Sequence, residues 1–136
     1  MRTISLLFLA GVAVAQAPSV QPVGTMSQLM INIIYPTSDD LFYIVRGAPK
    51  DEKGWNALKS SALTLAESAN LLMMPGRARD QDKWIKDARM LLDVGTAAFK
   101  AAMAKDAPAI EALNEQLEAA CVTCHQDYRP TYRKRR

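Results

Sequence analysis

Near its C-terminus the chain carries Cys121-Val122-Thr123-Cys124-His125. Two thiols three residues apart sit on one side of a helix, where both can reach the vinyl groups of one porphyrin and form thioethers. The imidazole of His125, four residues after Cys121 and next to Cys124, is then held under the iron. His125 is the only histidine, and Cys121 and Cys124 are the only cysteines, in 136 residues. A structural zinc site wants four ligands, so two Cys and one His leave it one short. A thioredoxin-like dithiol is the stronger competitor, but it wants a strand before the motif and a helix opening at it. Here a helical pattern has already run for about three turns before Cys121. The motif therefore points to one covalently bound haem c per chain, with iron as its metal. Only 11 residues follow His125, so the group would hang from the last helix.

The other end of the chain bears on where such a group could be attached. Arg2 gives a short basic region, Ile4 to Val14 is apolar, and Ala13-Val14-Ala15 is a small-x-small cleavage site. This reads as a secretory signal peptide, too short to span a membrane. Cleavage is expected after Ala15, because cutting after Ala17 would leave Pro18 at the new N-terminus. The remainder, about 120 residues, suits one compact domain. The expected organisation is a signal peptide over 1–15, a flexible leader over 16–23 with Pro18 and Pro22, a helical domain over 24–129, and a basic tail over 130–136. No other apolar run approaches spanning length, so the mature chain is expected to carry no membrane span and to reside in the periplasm.

The formal net charge is +3, and much of the positive charge lies in Arg129, Arg133, Lys134, Arg135 and Arg136. Such a run is a solvated tail or a docking site for an acidic redox partner. So modest a charge on an exported protein argues against nucleic acid as a partner.

Everything after about residue 24 reads as helix broken by Pro and Gly, without alternating strand runs. Thr25 and Gln28 form a capping box that opens a first helix with Met26, Leu29, Met30, Ile33 and Ile34. Pro36 interrupts the pattern, and Leu41, Phe42, Ile44 and Val45 continue it to Gly47. One kinked helix and two separate ones are equally compatible with this. A second helix runs from about Asp51 to Met74, with Trp55, Leu58, Ala62, Leu65, Ala69 and Leu72 in steps of three and four, and Pro75-Gly76 stops it. A third begins near Asp80 and continues to about Lys105, with the stripe Ile85, Ala88, Leu92, Gly95, Phe99 and Ala102. The last starts at Asp106-Ala107-Pro108, with Pro in the first turn. Its stripe is Ile110, Leu113, Leu117, Ala120 or Cys121, Cys124 and Tyr128. Long amphipathic helices with short connections predict an all-α fold, an antiparallel four-helix bundle with the haem near one end. Trp55 and Trp84 are expected to pack rather than relay electrons. Gly95, among several Ala, either lets two helices approach or leaves room for the macrocycle.

A four-helix bundle with a C-terminal Cys-x-x-Cys-His resembles the class II cytochromes c, the cytochrome c′ family. The specific part is Cys121-Val122-Thr123-Cys124-His125-Gln126-Asp127-Tyr128-Arg129, which is similar to that family's Cys-x-x-Cys-His-x-x-aromatic-Arg ending. The resemblance implies Cys121 and Cys124 as thioether attachments and His125 as proximal iron ligand. It also implies Arg129 beside the proximal imidazole; a propionate contact and a solvated helix-end cation are the other readings of that residue. Ser27-Gln28-Leu29-Met30 resembles the first helix of the low-spin branch, which implies Met30 as distal ligand, with Met26 as its rival and a core-filling Met as the plain reading. On this resemblance the protein is a periplasmic carrier of single electrons with His/Met ligation. The alternative is a five-coordinate protein of the ordinary cytochrome c′ type that binds NO or CO. With no second His and no convincing carboxylate pair, an enzyme is not indicated. The resemblance also implies homodimers and periplasmic redox partner proteins.

Overall fold

The computed structural model describes residues 20–129. The expected signal peptide, the first half of the leader and the tail from Pro130 lie outside the described residues. Within them the chain is all-helical, with no strand.

The first helix opens as α1 (Met26–Leu29), and its Thr25–Gln28 capping box is formed in both directions. It then widens into a π-turn over Met30–Ile34, in which the Tyr35 N–H donates to the Met30 carbonyl. It continues without a break as α2 (Tyr35–Phe42) and a 3-10 turn (Tyr43–Arg46), ending at Gly47, whose φ is 139°. One helix thus passes through Pro36. In a straight α-helix the Pro36 ring would press on the Asn32 carbonyl one turn back and offer it no N–H. The wider π-turn directly before the ring relieves that conflict. The Thr37 hydroxyl donates to the Ile33 carbonyl at 2.6 Å, and that of Ser38 to the Tyr35 carbonyl at 2.9 Å.

The second long helix, α3 (Glu52–Met73), starts from Asp51, whose side chain accepts from the Gly54 N–H at 2.8 Å. All six residues of its expected stripe are buried, Ala62, Leu65 and Ala69 completely. The third, α4 (Lys83–Met103), begins three residues later than its sequence suggested. Asp80 nevertheless acts as the cap from a distance, since its Oδ1 accepts from the Trp84 N–H at 2.9 Å. The face of α4 also differs from expectation. Trp84, Ala88, Leu91, Val94, Ala98 and Ala102 are buried, while Ile85, Leu92 and Phe99 are only half-buried. A second apolar stripe one residue round the helix had drawn the expected face off centre.

The fourth helix starts where expected, and its cap is the Asp106 side chain, which accepts from the Ala109 N–H at 3.0 Å. It is not one uniform α-helix: α5 (Ala107–Glu111) gives way at Ala112–Leu113 to a tight turn, and α6 (Asn114–Tyr128) follows. In that turn the Leu113 N–H donates to Ile110, three residues back, and the Leu117 N–H to Leu113, four back. Between α4 and α5 the chain reverses through Lys105 at φ 56°. The Asp106 N–H donates to Ala101 and the Lys105 N–H to Ala102, a Schellman closure with Lys where Gly is usual.

Cross-contacts set the helix directions. Gly24, just before the first helix, meets Arg77, just after α3, and Asp40 late in the first helix meets Ser61 in the first half of α3, so the two helices run antiparallel. Leu72 receives the Trp84 indole N–H at 2.8 Å, while Ala66 lies against Gly95, so α3 runs against α4. Asp80 meets Tyr128 at the start of α4 and the end of α6. Successive helices are therefore antiparallel around a shared core in which Leu41, Leu65, Ile110 and Leu117 are almost wholly enclosed. Each such side chain contributes about 1.5–3 kcal/mol by leaving water.

Candidate functional site

Cys121, Cys124 and His125 lie on the second half of α6, all half-buried. A helix of 3.6 residues per turn puts residues three and four apart on one side, so all three share a face. The face is inward enough to perturb them. Burial raises the Cys121 thiol above its usual range, helped by the charge of Glu118. Burial pushes Cys124 up to about 11, with the negative charges of Asp87 and others adding to it. Both are thus thiols at neutral pH and are not joined as a disulfide. His125 moves the other way: burial first, then the nearby Arg129 charge, hold its imidazole below the ordinary value and favour the neutral ring. A neutral imidazole is the form that ligates a metal.

Arg129 follows α6 directly, exposed, and its backbone N–H donates to the His125 carbonyl at 3.1 Å. Its guanidinium is close enough to weigh on the His125 ring. Met30 belongs to a different part of the bundle. It is half-buried at the mouth of the π-turn, with Met26 likewise half-buried one turn earlier. That stretch packs on α3, whereas α6 packs mainly on α4 and also touches α2.

The contact between α4 and α6 holds side chains that sequence reasoning did not single out. The Tyr128 hydroxyl donates to Asp80 Oδ2, and the Tyr128 ring meets Trp84 edge-on with centroids 4.8 Å apart. Lys83 Nζ pairs with Asp127 at 2.5 Å. Asp87 is only 3% exposed, and its Oδ2 has no hydrogen-bond partner. Burial raises the Asp87 pKa; the positive charges of Lys83 and Lys86 oppose the rise, and the negative charges of Asp127 and Asp80 add to it. Its signal was available: Trp84, Asp87, Ala88 and Leu91 form an i, i+3, i+4, i+7 set, in which one carboxylate interrupts an apolar face. The Tyr128–Asp80 bond had no such signal, because its partners are 48 residues apart.

Among the described residues no three His, Cys, Asp or Glu side chains converge where one ion could sit. The donors of α6 instead offer two free thiols and one ring nitrogen on a common half-buried face. That set fits a planar group attached at several points, such as a haem, better than a single bare ion. Among the described residues no helix is long and apolar enough to cross a membrane.

Fold and motif together define an all-helical, antiparallel four-helix chain with a Cys-x-x-Cys-His segment on its last helix. No protein-family model, no curated protein and no solved structure matches this chain.

Proposed function

We propose that this protein is a class II c-type cytochrome, of the cytochrome c′ type and its low-spin branch, that carries single electrons in the periplasm. The observation that carries the reading is the trio Cys121, Cys124 and His125 on one half-buried face of the last helix of an all-helical chain. Cys121 and Cys124 would hold a single haem c by thioether bonds, and His125 would ligate its iron from the proximal side. Both thiols are kept protonated by burial, which preserves them as thiols until they are bonded. The neutral imidazole of His125 needs to shed no proton to bind metal. When bound, the haem supplies one-electron chemistry at iron.

Met30 would be the distal ligand, a soft and neutral thioether that favours ferrous iron and raises the reduction potential. Arg129, beside the His125 ring, adds a positive charge that works in the same direction. The apolar core of the four helices, on whose edge these half-buried ligands lie, would limit the access of water to them. No side chain is needed as acid, base or nucleophile, so the reading is of an electron carrier and not an enzyme. Its partners would be periplasmic redox proteins, with the exposed Arg129 offering a positive charge to acidic ones.

Export with a haem-attachment system should give a protein whose mass exceeds the polypeptide by one haem, and Cys121→Ala with Cys124→Ala should abolish the increase. A chain that gains no such mass would remove the reading altogether. In the reduced holoprotein, CO should leave the optical spectrum unchanged, and Met30→Ala should make it CO-responsive. Prompt CO binding by the unaltered protein would instead indicate an open sixth position and a gas-binding cytochrome c′.

A further inference from the structure

The burial pattern of the first helix does not follow one α-helical pitch. From the last residue of the π-turn onwards, Ile34, Ser38 and Leu41 are buried. Extending their line backwards at about 100° per residue would bring Ser27 to the centre of the core face. Met30 and Ile31 would then lie about equally far to either side, and Leu29 would turn to solvent. The structure has a different arrangement. Ser27 is exposed, Ile31 is 63% exposed, Leu29 is 4% exposed, and Met26 and Met30 are half-buried against the core. The segment before the π-turn is therefore rotated relative to the segment after it.

An i→i+5 turn has this effect, because it fits one more residue into a turn and so turns less per residue. Over Met30–Ile34 the deficit adds up to a large part of one residue's rotation. Applied to the helix, it carries Met30 towards the middle of the core face, brings Met26 behind it, and sends Ile31 outwards. The cause lies in the chain itself: Pro36 follows the turn, and its ring and missing N–H forbid the α-helical closure on Asn32.

We propose that Pro36 is a positioning residue: by forcing the π-turn it rotates Met30, rather than Ile31, onto the core face and so selects the distal iron ligand. This rests on the six-coordinate reading above, since it explains which of two adjacent residues can serve. Pro36 acts here through backbone rotation.

Pro36→Ala tests it with two readouts. In the reduced holoprotein the variant should respond to CO where the unaltered protein does not. In the haem-free full-length chain, peroxide should oxidise Met26 at least twofold faster in P36A, as loss of the π-turn swings that side chain off the core. A P36A protein that excludes CO as the parent does, or oxidises Met26 at the parental rate, overturns the proposal. A second variant needs no change at Pro36. M30A/I31M should stay open to CO, because the π-turn holds residue 31 away from the core. Closure of the sixth position in M30A/I31M would overturn the proposal even if P36A failed to fold. Failure of the function reading looks different: the parent protein itself would bind CO or no haem, while the Met26 oxidation rates would still report on the turn.

Discussion

A carboxyl group enclosed among helices, with one oxygen lacking a partner, holds its proton more tightly than it does in the unfolded chain. Asp87 is in that position, and its pKa lies above the ordinary carboxylate value of 3.8 because burial penalises the charge. Between the two values the folded state binds more protons than the unfolded state, so stability falls as pH rises through that window. The contribution of Asp87 is thus most favourable below 3.8 and is lost once the folded-state pKa has been passed. Asp87→Asn removes the titration with little change of shape. The Tm of D87N relative to the parent should accordingly improve from pH 4 towards neutral pH. A constant difference across that range would show that the carboxyl is ionised in the folded protein throughout. His125 has the opposite sign. Its pKa is lowered in the folded chain, so in the haem-free protein its neutral ring favours folding above the ordinary histidine value of 6.5 and ceases to do so as pH falls.

At the scale of elements, α3 and α4 approach closely at Gly95. A Cβ there would stand 2.9 Å from both Cα and N of Ala66, and backbone atoms in a packed helix cannot turn aside as a flexible side chain can. Gly costs α4 about 1 kcal/mol relative to Ala, but overpacking costs about 1–3 kcal/mol. Gly95→Ala should therefore lower unfolding free energy by up to about 2 kcal/mol net, measured by urea denaturation; a gain would mean that α3 and α4 separate freely. Of the two roles open to Gly95 in the sequence, helix approach is the one that its surroundings display. Much of this layer was legible beforehand. Thr25, Asp51 and Asp106 cap as their types and positions suggest, and the stripe of α3 repeats so regularly that every member is buried. The misplaced face of α4 has a physical reason: Trp84, Leu91 and Ala98 and their neighbours Ile85, Leu92 and Phe99 make two equally periodic stripes, and only the partner helix chooses between them. The π-turn was hidden for a similar reason. Pro36 announces a disturbance, but a proline in a helical pattern does not by its type alone distinguish a kink, a break and a widened turn.

For the whole molecule, the Cys-x-x-Cys-His motif and the helices can be read along the chain, while what fastens them together lies in pairs remote from one another in sequence. The end of α6, which carries Cys121, Cys124 and His125, meets the start of α4 through three contacts. The Lys83–Asp127 pair is the weakest of them, since the Lys83 side chain is 54% exposed and exposed pairs contribute little. Tyr128 carries more, because one side chain packs on the buried Trp84 and also donates to Asp80. The same Asp80 accepts from the backbone N–H of Trp84 and of Asp82, so a single carboxylate ties the cap of α4 to the last turn of α6. The Tyr128 bond is the first cause of the lowered Asp80 pKa, followed by the Trp84 N–H. Its stabilising effect is therefore present above 3.8 and lost as pH falls through the lowered value. Tyr128→Phe keeps the ring and deletes the hydroxyl. In the haem-free chain at neutral pH it should lower the Tm and speed amide exchange in residues 121–128, while exchange in α3 changes only as far as global stability does. The difference from the parent should shrink as the solution is acidified below 3.8, because protonated Asp80 is a poorer acceptor. Uniformly faster exchange over all helices would instead mean that Tyr128 supports the bundle as a whole and does not fasten the motif in particular.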